Sequence, residues 1–521
     1  MKGDFSRISF DPTKHFSRVL LQQGRVTLDA DPNEEGAILL HYLRTLARDL
    51  IGPCGGPSDD LGFQLTPHAK TGSANPTLTI GAGRYYVDGI LVENDADCDY
   101  AKQPDWTPPA DDPVLQRLNS KLTEDVWLYL DVWERHVSWI EDDAIRESAL
   151  GGPDTCTRAK VVWQVRGLAR DTLRQRLTDR RDAVDARLAD TRITLTTEQR
   201  AALQAQRDKL NNDITLLTPN ADGNGGNDCG APLDGLDGIS DAQMTARLDP
   251  GQQIKDPCVL APDALYRGVE NQLYRVEVQR GSASGVKPTF KWSRDNGSVA
   301  TRWVGTEGHD LIVANARGFT AQAWAELSDD SNDLLGRPGA LVKLVKVEGD
   351  RLSVDPDTTA SIALAATMTN PKVRRWDQTE SDDITLDEGA VPLVEAPLND
   401  SHWIDLEDGI QVQFAVGGSY RSGDYWLIPA RVATGGIDWP HTVSATGVSW
   451  QARPPQGVEH HYTSLGFVGA NADGTLEATP CVCTIVPISD CSPARNVGAV
   501  RGDRVHKPPA RPRISVPAKP G

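Results

Sequence analysis

The chain has 521 residues, which exceeds one ordinary domain and predicts roughly two to four. A formal net charge of −19 excludes a nucleic-acid-binding surface as the main role, since phosphate contacts need clustered Lys and Arg. Abundant Gly (46) and Pro (34), with Trp (13) outnumbering Phe (8) and Tyr (10), favour short strands and many turns over long helices.

The chain opens at Met1 without a charged-then-apolar leader, so a secreted precursor is not expected. Phe5, Ile8, Phe10 and Phe16 are apolar anchors separated by the turn formers Asp11 and Pro12. Val19-Leu20-Leu21 is a short apolar run, and Gly24 permits a turn before Val26-Thr27-Leu28. Asp31 should cap a helix with Pro32 at its first position. Ala37, Leu40, Leu43, Leu46, Ala47 and Leu50 recur at three-to-four spacing, as one buried helix face requires, and Gly52-Pro53 ends the helix. An extended arm followed by a helix suggests docking onto neighbours. Phe5, Arg7, Phe10 and Phe16 are its candidate partner-binding residues, with burial in their own domain as the competing reading.

Leu78-Thr79-Ile80 and GRYYVDGILVEN read as strands, with Tyr86, Ile90 and Val92 sharing a face around an Asp88-Gly89 turn. Pro104 to Pro113 reads as a linker. Val126, Leu128, Leu130 and Val132 then alternate with Trp127, Tyr129, Asp131 and Trp133, a strand covered on both faces. Val161–Val165 continues the same domain. From about Leu168 to Leu217 the chain lacks Gly and Pro. Leu173, Leu177, Val184 and Leu188 form one apolar stripe; Leu203, Leu210, Ile214 and Leu217 form another, with Thr196 and Gln199 as a capping box. This is a helical hairpin inserted between strands, either a solvated insertion or an assembly contact. PNADGNGGNDCG begins like a calcium loop, but Ala231 stands where a bidentate Glu is needed. Further short strands follow. Asn296-Gly297 signals a hairpin with Phe290, Trp292, Val299 and Trp303 on its arms, and Glu348-Gly349-Asp350 signals another. The stretch after Asn496 is Pro-rich and basic, like an extended arm.

The fold class is therefore a β-rich, multi-domain α+β protein. Antiparallel sandwiches or small barrels carry an N-terminal helix and the inserted hairpin. Expected domains are 1–103 (arm, helix and small β domain), 114–335 (β domain with the hairpin at about 168–217), 336–470 (β domain) and 471–521 (tail).

Catalytic signatures such as G-x-S-x-G, H-E-x-x-H and the P-loop are absent. Glu459, His460 and His461 are adjacent and so point to alternate faces of a strand, which favours packing or hydrogen bonding over a shared site. Asp131, Glu134, Glu141, Asp142 and Asp143 give no spacing that selects a glycosidase pair. Cys481, Cys483 and Cys491 could hold zinc if His506 or another chain supplied a fourth ligand, although a chain of this size leaves reduced thiols as the default. No other cofactor is indicated. Arg501-Gly502-Asp503 matches the integrin-binding tripeptide, a match that short motifs produce by chance. No apolar run reaches the roughly 18–20 residues that span a bilayer.

Several long, ordered motifs carry a resemblance: MKGDFSR, FDPTKHFSRVLLQQGRVTLDAD, LLHYLRTLARDLIGP, GRYYVDGILVEN, YRGVENQLYRVEV, FKWSRDNGSV, VRRWD, GDYWLIPAR and VEHHYTSLG. Together they resemble an uncharacterised bacterial family encoded with contractile phage-tail-like injection systems. The resemblance runs from Met1 to about Gly466; the helical insertion and the tail after about Gly469 depart from it. It implies a non-enzymatic structural component at the baseplate, its periphery or a fibre attachment, oligomeric within the particle and bound to its other subunits. It implies synthesis and assembly in the cytoplasm, within a particle that is released or membrane-attached, and it carries no catalytic residues over. The alternative is a glycan-binding or glycan-cleaving protein on the particle, motivated by the many Trp. An exposed Trp row beside a carboxylate pair would mark that alternative; buried Trp would mark a scaffold.

Overall fold

The computed structural model describes residues 1–68, 76–119, 121–122, 125–150, 154–191, 197–217, 229, 236, 241–249, 265–282, 286–358, 367–397, 402–444, 447–470 and 476–485. The Thr196 cap, the calcium-like loop with Ala231, Cys491, His506 and the basic tail lie outside them.

The alternating strand Val126–Val137 organises the first unit. It pairs along its whole length with Arg158–Ala169 and on its other edge with His460–Ala470, to which Leu476–Pro480 adds. One face buries Val126, Leu128, Leu130 and Val132 against Phe63, Tyr85, Ile90 and Val92. The opposite face presents Trp127, Tyr129 and Phe467 to the helical hairpin, Arg170–Ala189 and Thr197–Leu216, whose Leu173, Leu177, Val184 and Leu210 fill that layer. The strand is covered on both faces, as the alternation predicted. The hairpin spends its stripes on each other and on this sheet, which removes the reason to read it as an assembly contact.

Two further cores follow. Gln272–Arg280, Thr289–Ser293 and Tyr425–Arg431 form one sheet of a sandwich, and Ile410–Ala415 with Met244–Leu248 forms the other. Between them lie Tyr274, Val276, Phe290, Trp292, Phe414 and Trp426. Six strands between Ala300 and Trp376 close into a barrel around Trp303, Leu311, Val342, Leu344, Leu352 and Val373. The β-rich, multi-domain class stands. The boundary expected at 335/336 falls inside this barrel, because Trp324–Ser328 pairs with Ala340–Glu348 across it. That at 470/471 also parts paired strands, His460–Ala470 and Leu476–Pro480.

Turn chemistry was read well at Gly349-Asp350, which joins Glu348 to Arg351, and at Asp88-Gly89, with φ of 49° and 82°. There the buried partner of Ile90 and Val92 is Tyr85, while Tyr86 is half-buried on the other face. Asn296 and Gly297 have φ of 53° and 62°. They do not close a hairpin, because Thr289–Ser293 stays in the sandwich while Ala300–Glu307 enters the barrel. Pro104 to Pro113 is no spacer: Trp106 meets Tyr100 edge-on at 5.8 Å, and Asp112 caps the short helix Pro113–Leu118.

Candidate docking site at the N-terminus

Residues 1–6 are clamped where the three cores meet. Asn296, fully buried at the sandwich-to-barrel turn, donates to the carbonyls of Met1 (3.2 Å) and Gly3 (2.9 Å). The Met1 nitrogen donates to Tyr425 Oη at 3.0 Å, and Lys2 Nζ lies 3.0 Å from Glu277 and 5.4 Å from the centre of the Trp376 ring. Around them Arg275 pairs with Glu277 at 2.6 Å and Lys291 with Glu326 at 2.7 Å. Burial pushes the Lys2 ammonium down, against the pull of Glu277 and Glu326. Burial disfavours the Glu277 carboxylate, yet Lys2, Arg275 and Lys291 outweigh it and hold its carboxyl below the ordinary range. Phe5 then meets His136 edge-on at 6.3 Å, and Arg431 donates to the Ser6 carbonyl at 2.7 Å.

Beyond the clamp, Ser9 donates to Glu34 at 2.6 Å and Phe10 packs on His41 at 5.8 Å, so the arm lies along the helix Ala30–Ile51. The helix starts slightly earlier than the Asp31 cap predicted. Its inner side seats on the body through Ile38, 1 % exposed, and through Arg44, which holds Glu134 with two contacts of 2.9 and 3.1 Å. Arg48 reaches Asp88 at 3.5 Å. Gly89 makes this close approach possible: a Cβ there would lie 2.1 Å from the Arg44 carbonyl oxygen, and its φ of +82° also favours glycine.

The face read as buried is the outer one. Leu40, Leu43, Leu46 and Leu50 are 46, 62, 56 and 77 % exposed, and Leu39 and Tyr42 join them. Ala37 and Ala47 alone of that set are half-buried. The preceding segment leaves Phe16, Leu20, Leu21 and Val26 in solvent as well. Among the described residues, thirteen of the twenty-five exposed large apolar side chains fall within Met1–Leu50. A contiguous apolar surface of this kind marks an interaction site. Of the four anchors named from sequence, Phe5 and Phe10 pack into their own chain, while Arg7 and Phe16 are exposed. The leucines were missed as docking residues because spacing reveals a stripe without revealing which side of it the body takes.

Other candidate chemistry resolves differently. Cys481 forms a disulfide with Cys229, with an S–S distance of 2.06 Å, which takes it out of the expected zinc set and corrects the reading of uniformly reduced thiols. The 252-residue separation gave no local spacing to signal it. Cys483 is a free, exposed cysteine, and its backbone N–H donates to Tyr85 Oη at 3.0 Å. Glu141, Asp330 and Asp333 converge as a metal site would, but Lys372 Nζ already sits 2.5, 3.4 and 2.6 Å from them, and Arg135 pairs with Asp330. Burial opposes the Glu141 carboxylate, while Lys372 and Ser138 prevail and lower it to about 2. This cluster ties the first unit to the barrel.

His460 and His461 point to opposite faces, as their adjacency predicted: His460 Nδ1 meets Asp131 at 2.7 Å and His461 Nδ1 meets Asp88 at 3.1 Å. The His461 bond leads in lowering the Asp88 carboxyl; burial opposes it and Arg48 assists. His460 and Tyr462 line a cleft of about 980 Å³ with Arg166, Arg176, Arg280 and Arg421. Nine of the 13 Trp are buried and the other four half-buried, so no exposed Trp row exists. No described helix is long and apolar enough to cross a membrane.

The chain matches a family model over residues 1–519 and belongs to that family, described as a family of unknown function (DUF6519). No curated protein and no solved structure matches it.

Proposed function

We propose that this protein is a structural subunit of a contractile phage-tail-like injection particle, at the baseplate, its periphery or a fibre attachment, and that it acts by protein–protein binding. The observation that carries the reading is the apolar surface of Phe16 to Leu50, displayed on a segment whose first residues are locked into the body. A rigid root with an apolar outer face suits a subunit held in place by a neighbour, since fixed geometry lowers the ordering cost of binding. The sequence motifs that resemble proteins encoded beside such particles supply the setting. The burial of nine of the 13 Trp favours this reading over the glycan one.

The test is electron cryo-microscopy of particles from wild-type cells and from cells lacking this protein. Symmetric density that disappears in the deletion, contacting residues 16–50, is the expected result. Complete particles with no missing density would overturn the reading.

A further inference from the structure

We propose that the arginine-lined cleft between the helical hairpin and the sandwich binds a small ligand carrying an oligophosphate chain. None of the cleft's lining residues belongs to the arm or the N-terminal helix, so the inference stands apart from the docking face.

Cations reach the cleft from separate elements. Arg166 comes from the first sheet, Arg176 and Arg180 from the first helix of the hairpin, Arg280 from the end of the strand Gln272–Arg280, and Arg421 from the loop before Tyr425–Arg431. Against these five Arg the lining holds three Asp, a formal excess of two positive charges in a chain of net charge −19. Two of those carboxylates are already engaged. Asp131 meets His460 at 2.7 Å and Arg166 at 3.5 Å, and Asp333 meets Lys372 at 2.6 Å. Arg176 and Arg180 stand one turn apart on the same helix, a spacing at which like charges repel. Arg176 is exposed and has no ion-pair partner among the described residues. Arg280 donates once from each nitrogen, to the Lys287 carbonyl at 3.1 Å, to Glu388 at 3.2 Å and to Asp387, which leaves N–H groups of its guanidinium for a ligand. Ser282 and Ser422 add hydroxyls. Each Oγ accepts a backbone N–H, from Tyr420 at 3.1 Å and from Gly281 at 3.0 Å, and so keeps its O–H to donate.

The donors select the ligand. Guanidinium forks and hydroxyls recognise oxyanions. A lone carboxylate presents two oxygens in one plane and would satisfy one wall of this cleft. A chain of phosphates presents oxygens in all directions and repeats its charge, as donors arriving from several elements require. Leu334, Leu335 and Val458 complete the walls, and low-dielectric walls focus the field of the arginines into the cleft. The cavity of about 980 Å³ has room for an oligophosphate and a group attached to it. His460 and Tyr462 stack at 6.0 Å on one wall, where a nucleoside base would find an aromatic surface.

The experiment is isothermal titration calorimetry of the full chain with inorganic triphosphate and, separately, with adenosine triphosphate. Saturable one-to-one binding is expected, weakening as salt rises. Arg176→Gln/Arg421→Gln should weaken it about tenfold or more while the melting temperature stays close to that of the wild type. Arg317→Gln, which removes an exposed cation outside the cleft, should leave it unchanged. Tighter binding of adenosine triphosphate would place a base on the Tyr462 wall; equal or weaker binding would make the unsubstituted chain the ligand, and either result upholds the proposal. No saturable binding of either probe, an unchanged affinity in the double variant, an equal loss in Arg317→Gln, or equal affinity for a hexaglutamate peptide would each overturn it.

Discussion

The N-terminal helix and the inserted helical hairpin look alike in sequence and end in opposite environments. Both carry leucines at three-to-four spacing. In the hairpin, Leu173 and Leu177 are 1 and 0 % exposed; in the N-terminal helix, Leu43 and Leu50 are 62 and 77 % exposed. The hairpin brings its own second helix and lies on Trp127, Tyr129 and Phe467, so its stripes are satisfied within the chain. The N-terminal helix lies alone on a tight turn at Gly89, and Ile38 with Arg44 faces the body. Periodicity identifies a face that must be covered; what covers it is decided by the rest of the chain.

The frame that supports both elements depends on Lys372. Replacing it with Ala removes a buried ion pair from each of Glu141, Asp330 and Asp333, and should cost about 3–5 kcal/mol in denaturant unfolding. The comparison itself is sharpened by a matched pair. Leu177→Ala should cost about 2–5 kcal/mol through a cavity, while Leu46→Ala should change stability by no more than about 0.5 kcal/mol. Equal losses would break the distinction between the two helices. Gly89→Ala should cost about 1–3 kcal/mol, from φ strain and the clash with the Arg44 carbonyl. Hydrogen exchange should then rise along Ala30–Ile51 and leave the hairpin unchanged.

A pH slope is expected at the root of the arm. Burial, with help from Arg374, lowers His136 to about 3, against an ordinary 6.5, and Phe5 packs on its ring. The unfolded chain therefore binds the extra proton between these values, and stability falls on acidification from about pH 6.5 towards 3, by up to about 1.4 kcal/mol per pH unit. Glu141 adds a separate loss below its ordinary 4.5, towards about 2. Melting curves of His136→Gln should lose less stability than the wild type between pH 6.5 and 4.5, where the buried Met1 amine, lowered to about 4, keeps a slope of its own; an unchanged profile would remove His136 from the account.

Much of the β framework was legible. Alternation in Val126–Trp133 predicted a strand covered on both faces, and Asp88-Gly89 and Gly349-Asp350 marked their turns through local backbone chemistry. What was illegible depends on distance in space. Asn296-Gly297 has the right φ angles for a hairpin, but its flanking strands find partners far away in sequence. The Cys229–Cys481 bond and the Asn296 grip on Met1 and Gly3 join segments more than 250 residues apart. At the docking site, the arm and the leucines were visible as a pattern, and their outward orientation was not.

The most direct test of the central claim is the Leu43→Glu/Leu46→Glu variant expressed in cells that lack the wild-type protein, followed by sedimentation of their particles. The account predicts a protein that melts with the wild type yet stays in the supernatant. Full occupancy of the variant in sedimented particles would show that the outer face of the N-terminal helix is not what holds this chain in place.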